Sequence, residues 1–147
     1  MLSIKPKKVY IDGVFDLFHR GHLESLKKAK NVLEAPDNTI LIVGIVSDVD
    51  CLSYKRQPII NEEDRVEIIK NINIVDEIIF PCPLNISMDF IKKHDIDIVV
   101  HGFSNEDDRQ KQKGFFEEIV KNNRFKEIEY YSEISTTDII KKIKMNY

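Results

Sequence analysis

Apolar positions along the chain gather into short, nearly continuous runs separated by amphipathic stretches. Four runs rich in β-branched residues come first, KVYID at 8–12, TILIVGIVS at 39–47, VDEIIFP at 75–81 and IDIVVHG at 96–102, and a weaker one, KEIEYY, lies at 126–131. Such unbroken interiors are expected of strands covered on both faces, since a half-solvated strand alternates. Between them apolar residues recur every three to four positions in HLESLKKAKNVL (22–33), EEDRVEIIKNI (62–72), SMDFIKKH (87–94) and GFFEEIVKNN (114–123), with TTDIIKKIK (136–144) last. Helices are predicted there. The alternation specifies βαβ units and hence an α/β fold, a parallel sheet with helices on both faces.

With 147 residues, 42% of them apolar, the chain can bury one substantial core, and a single domain over 1–147 is expected. In open parallel sheets ligands bind beyond the carboxyl ends of the strands, so functional residues are to be sought just after each strand. LEAPDN at 33–38 and FPCPLN at 80–85 read as loops.

Charge narrows the possible partners. Twenty-two Lys and Arg against 25 Asp and Glu leave a net charge of −3, so no overall basic field recruits nucleic acid or an anionic membrane. Any anion must be bound locally. Cys51 and Cys82 lack CxxC spacing, which points to a reducing compartment. The opening MLSIKPKKVY has no apolar signal core and the longest apolar run, 40–46, is too short to span a bilayer, so a cytoplasmic location is expected.

Four constellations stand at strand ends. In DGVFDLFHRGH the first strand hands over to a helix with His19 and His22 three residues apart. Gly13 there lets backbone approach a ligand, and Gly21 removes bulk where the helix starts. Exposed N–H groups and the helix dipole attract anions at such a point, so two imidazoles beside it can cradle phosphate. From spacing alone, ordinary surface or capping histidines fit equally well. Zinc ligation fits less well, because the helical zinc pattern needs HExxH and no third ligand stands nearby.

The string EISTTDIIKKI places Ser135, Thr136 and Thr137 before a helical pattern, with Asp138 three after Ser135 as in a capping box. Three hydroxyls there can cap the helix or hold phosphate oxygens. The third constellation is a loop expected over 48–60, where Lys55 and Arg56 can close over negative charge or remain a solvated basic pair. After it Asn61 reads as a helix cap, leaving Arg65 as either a phosphate contact or a surface ion pair. Fourth, VVHGFS ends a strand with His101, Gly102 and Phe103, where a base or second substrate would lie.

Taken together, DGVFDLFHRGH, LIVGIVSD, the Lys55 loop, NEEDR, VDEII, HDIDIVVHG and ISTTDII resemble the cytidylyltransferase family, which couples CTP to phosphocholine, phosphoethanolamine or glycerol 3-phosphate. The similarity runs from Val9 to about Ile143. It implies a Rossmann-like three-layer α/β/α sandwich with a five-stranded parallel sheet, and a reaction of CTP with a phosphomonoester giving a CDP-alcohol and pyrophosphate. Direct attack by the substrate phosphate needs positioning, donors and cations rather than a covalent nucleophile. By matching position, His19, His22 and Lys55 would be catalytic. Gly13, Val14, Phe15, His101, Ser135, Thr136 and Thr137 would bind the nucleotide, Asp48 would lie in the second-substrate pocket, and Asp16 and Arg65 would orient the loops. Mg²⁺ would accompany CTP without a cage of protein side chains, and a homodimer is expected.

The chain departs from the family pattern at several points. Tyr130 stands where the family places a phosphate-binding Arg, and Glu133 where it places a Gly, so Arg124, Lys126 or another cation would have to compensate. Asn73 replaces a basic residue at the segment that supports the family's dimer. Leu84 and the HGF at 101–103 replace residues of the phosphocholine branch, HG resembling the phosphoethanolamine branch and DGVFDLFH the phosphocholine one. A nucleotide-binding homologue with weak catalysis and a relative that transfers adenylyl or uses glycerol 3-phosphate are the alternatives; Ile140, where adenylyl-transferring relatives place an Arg, counts against adenylyl transfer.

Overall fold

The computed structural model describes residues 4–147. Five strands, β1 (Lys7–Gly13), β2 (Thr39–Ile45), β3 (Glu77–Ile79), β4 (Ile98–His101) and β5 (Phe125–Glu127), form one all-parallel sheet in the order β3-β2-β1-β4-β5. The strand pattern explains why the apolar runs are unbroken. Val9 and Ile11 of β1 with Leu41, Val43 and Ile45 of β2 point to one face, where helices α1 (Arg20–Asn31) and α3 (Glu62–Lys70) bury Leu26, Ala29 and Ile69 against them. Tyr10 and Ile42 point to the other, under Ile91 of α4 (Met88–Lys93) and Ile119 of α6 (Glu117–Lys121). The result is the expected Rossmann-like three-layer sandwich.

Helix starts follow the short polar residues in the sequence. Asn61, Ser87 and Ser135 each accept a hydrogen bond from the backbone N–H three residues on, opening α3, α4 and α7 (Thr136–Asn146). Two helices escape the periodicity. Ser47 caps α2 (Asp48–Leu52) inside the stretch expected to be a loop, leaving only 53–60 irregular, and Asn105 caps α5 (Glu106–Gln112), which buries just Gln112 and so carries no apolar stripe. The helix expected over 114–123 is split into a 3-10 turn, Lys113–Phe116, followed by α6. The last strand ends at Glu127, not 131. Beyond it the chain crosses the end of the sheet, with Ile128 N–H donating to the His101 carbonyl.

The chain runs from β1 outward to β3, then returns to the far side of β1 for β4. Strand order therefore reverses between β1 and β4, which opens a crevice beyond their carboxyl ends. Gly13 and His101 end those two strands.

Gly44 marks a close approach in the sheet. A Cβ there would overlap the hydroxyl of fully buried Tyr10 and lie 2.9 Å from Cys82 Cβ. Among the described residues that hydroxyl has no hydrogen-bond partner. Gly44→Ala is expected to lower stability by about 1–3 kcal/mol in urea unfolding, and the loss should shrink in a Tyr10→Phe background, which removes the clashing atom.

Candidate active site

The turn between β1 and α1 is held in a strained shape from several directions. Phe15 and Leu17 have φ of 58° and 49°, left-handed values that cost roughly 1–2 kcal/mol for a residue with a Cβ. Arg65, with no exposed surface, reaches under the turn from α3. Its Nε donates to the Ile60 carbonyl at 3.0 Å, Nη1 to the Val14 and Val46 carbonyls at 2.7 and 2.9 Å, and Nη2 to Asp48 Oδ1 at 2.7 Å. The Asp16 carboxylate accepts from the N–H groups of Ile59 and Ile60, and Thr136 Oγ1 donates to the Asp16 carbonyl. Phe15 turns back so that its ring lies 3.0 Å from where a Gly13 Cβ would be, so a side chain at that position would press on the ring.

His19 and His22 form a reciprocal cap on α1. His19 Nδ1 accepts from Gly21 N–H at 2.9 Å, and His22 Nδ1 accepts from His19 N–H at 3.2 Å, with the rings stacked 3.9 Å apart. The Gly21 position has no room for a Cβ, which would sit 2.7 Å from His19 Cε1. An Nδ1 that accepts from an amide cannot carry a proton, so each neutral ring holds its hydrogen on Nε2. Burial, then the neighbouring His19 and Lys55, lower the His22 pKa to about 3, and burial lowers that of His19. Both rings are thus uncharged Nε2–H donors. His19 Nε2 lies 3.4 Å from Thr136 Oγ1 at the start of α7.

These groups line a cleft of about 640 Å³ in the β1–β4 crevice. His19, His22, Gly13, Val14, Phe15, Asp16, Lys55, His101, Ser135, Thr136 and Thr137 all face it. Lys55 Nζ stands 5.4 Å over the Tyr54 ring. Ser135 Oγ is taken up by Asp138 N–H, the capping half of its expected role. Asp48 and Arg65 do not line the cleft. Arg65 Nη2 donates to one oxygen of the Asp48 carboxylate, and Arg65 itself is neither phosphate contact nor surface pair but a fully buried brace.

Other lining residues were not foreseen. Asp12, next to last in β1, is nine-tenths buried and accepts no hydrogen bond among the described residues; His101 Nδ1, 3.2 Å away, is not aligned to donate and has no partner among them. The His101 ring packs on Phe103 and Phe116, and Tyr54 meets Phe115 edge-on. An acid inside the apolar run KVYID was the available signal for Asp12. Tyr130 also lines the cleft, its phenol pKa raised by burial. Of the candidate compensating cations, Arg124 is turned to the Ile96 and Asp97 carbonyls, and neither it nor Lys126 lines the cleft, whereas Arg56 does.

Residues 10–142 match the family model described as cytidylyltransferase-like. The chain is 34% identical over 147 residues to choline-phosphate cytidylyltransferase A of Rattus norvegicus, covering 97% of this chain and 38% of that protein. It is 36% identical to choline-phosphate cytidylyltransferase 2 of Arabidopsis thaliana, with 99% and 47% covered, and 33% identical to ethanolamine-phosphate cytidylyltransferase of the same plant, with 92% and 32% covered. The chain spans less than half the length of these curated relatives. A solved lipopolysaccharide core biosynthesis protein from Thermoplasma volcanium superposes with a TM-score of 0.64 at 23% identity, over 87% of this chain and 98% of that one, and shares the fold.

Arg65→Lys keeps the charge but loses the planar fork, so it is expected to lower stability by about 3–5 kcal/mol in urea unfolding. The histidine cap makes stability depend on pH. His22 titrates near 6.5 in the unfolded chain and about 3 in the folded one, so as pH falls the unfolded state binds the proton first. Stability declines from about pH 6.5 and levels off near 3, with a share of about 2 kcal/mol lost between pH 7 and 5. His22→Asn, whose amide oxygen can still accept from His19 N–H, should lack that share when unfolding is followed across the same range.

Proposed function

The chain belongs to the cytidylyltransferase-like family, and from that premise we propose that it transfers CMP from CTP to the phosphate of a small amino alcohol, phosphocholine or phosphoethanolamine. A phosphate oxygen of the acceptor attacks the α-phosphorus, a new P–O bond forms, and the bond to the β-phosphate oxygen breaks with its electron pair leaving on pyrophosphate. The observation that carries this reading is the paired histidine cap, which sets the uncharged Nε2–H of His19 3.4 Å from Thr136 Oγ1 at the start of α7, with the His22 ring stacked against it. Neutral donors fixed in place can stabilise charge that grows on phosphoryl oxygens without reorganising. The free N–H groups at the start of α7 take the β- and γ-phosphates, and Lys55 reaches the reacting phosphates from its loop.

The alcohol end follows from Asp12. A nearly buried carboxylate that accepts no hydrogen bond among the described residues, in a cleft that also presents Tyr54, Phe115 and Phe116, suits a cation better than the neutral hydroxyls of glycerol 3-phosphate. Among the described residues no three His, Cys, Asp or Glu side chains are grouped to hold a metal. Mg²⁺ would arrive as a companion of the triphosphate, and its charge would neutralise the leaving pyrophosphate.

Pyrophosphate release is to be measured with CTP or ATP against phosphocholine, phosphoethanolamine and glycerol 3-phosphate. Turnover is expected with CTP and an amino-alcohol phosphate at a kcat/KM about 100-fold or more above glycerol 3-phosphate, and Asp12→Asn should remove most of that preference. CTP binding without release on any acceptor would replace catalysis by nucleotide binding alone.

A further inference from the structure

Three cationic side chains line the cleft among the described residues, Lys55, Arg56 and Lys111. Lys111 is paired with Asp107 at 3.2 Å. Neither Lys55 nor Arg56 forms an ion pair among the described residues. Arg56 Nη1 donates to Thr137 Oγ1 at 3.2 Å, which ties the 53–60 stretch to the first turn of α7 across 81 residues of sequence. One neutral hydroxyl uses one of the five N–H donors of a guanidinium and none of its charge. Behind it the stretch is pinned at both sides: Lys55 N–H donates to the Cys51 carbonyl, Cys51 Sγ–H to the Arg56 carbonyl at 3.4 Å, and Ile59 and Ile60 N–H to Asp16.

Around it the lining is acidic, with Asp12, Asp107, Asp108 and Asp138 all facing the same space. The His19 and His22 rings, whose Nδ1 atoms accept from backbone N–H groups, are uncharged. A triphosphate entering this cleft needs fixed positive charge at its far end, and the side chain already bonded to the α7 turn is Arg56.

We propose that Arg56 clamps the terminal phosphates of the nucleotide and holds the pyrophosphate as it forms. The proposal rests on the nucleotidyl-transfer reading and adds a residue outside the histidine and hydroxyl set. The guanidinium fork suits two oxygens of one phosphate or a bridging pair on adjacent phosphates. Its contact with Thr137 keeps it in place before the nucleotide arrives.

Titration calorimetry of the wild type, Arg56→Ala and Arg56→Lys with CTP, CMP and pyrophosphate, each with Mg²⁺, tests this. Arg56→Ala should weaken CTP and pyrophosphate about ten- to hundredfold while CMP changes less than about twofold. Arg56→Lys should recover only part, because a point charge replaces a fork. Equal losses for CTP and CMP, or no loss for CTP and pyrophosphate, would overturn the assignment; an unchanged thermal midpoint in either variant excludes a folding defect. Wild-type protein that binds neither CTP nor pyrophosphate would instead defeat the transfer reading, and the Arg56 role with it.

Discussion

A guanidinium with no access to solvent holds the site together. Arg65 leaves α3, passes beneath the β1–α1 turn and bonds three carbonyls from three segments, Val14 after β1, Val46 after β2 and Ile60 before α3, while Asp48 at the start of α2 takes its charge. Removing such a charge from water is expensive, and it is tolerated where nearly every donor finds an acceptor. Here four bonds are made, and in return two left-handed residues, Phe15 and Leu17, stay in a shape the backbone alone disfavours. The loops that carry His19, Lys55 and Arg56 are thereby referred to one buried point.

The histidine pair performs two tasks with separate nitrogens. Each Nδ1 satisfies an amide of the helix start, a task that Ser or Asn does elsewhere in this chain, at α4 and α3. Each Nε2 is left as a donor whose tautomer is dictated by that cap. A Ser at either place would cap the helix and present no donor to the cleft. Burial then keeps the rings uncharged, so they contribute directed N–H groups, and net positive charge has to come from Lys55 and Arg56.

Cationic and acidic side chains therefore share the cleft. Hydroxyls, helix N–H groups and Arg56 gather about the first turn of α7, Lys55 stands over the Tyr54 ring, and Asp12 with the rings of Tyr54, Phe115 and Phe116 lines the same cleft.

The sheet and most of its helices were legible because burial on both faces writes itself as unbroken apolar runs, and because caps such as Asn61 and Ser135 are local chemistry. The histidines, the hydroxyls of 135–137 and Lys55 were legible by resemblance to a family. The acidic, polar α5 was not, since a helix that buries only Gln112 leaves no periodic trace. Nor were the fates of Arg65 and Asp48, because 17 residues of sequence say nothing of which surface charges are drawn inside to meet each other. The same holds for Asp12, an acid whose burial beside His101 depends on the β1–β4 pairing, and for Arg56, whose neighbour Thr137 lies 81 residues on. Sequence alone determined the elements, their order and the residue types at the strand ends, since these rest on periodicity and local hydrogen bonding; which of those residues meet, and in what charge state, was decided by strand order and burial, which only the folded chain possesses.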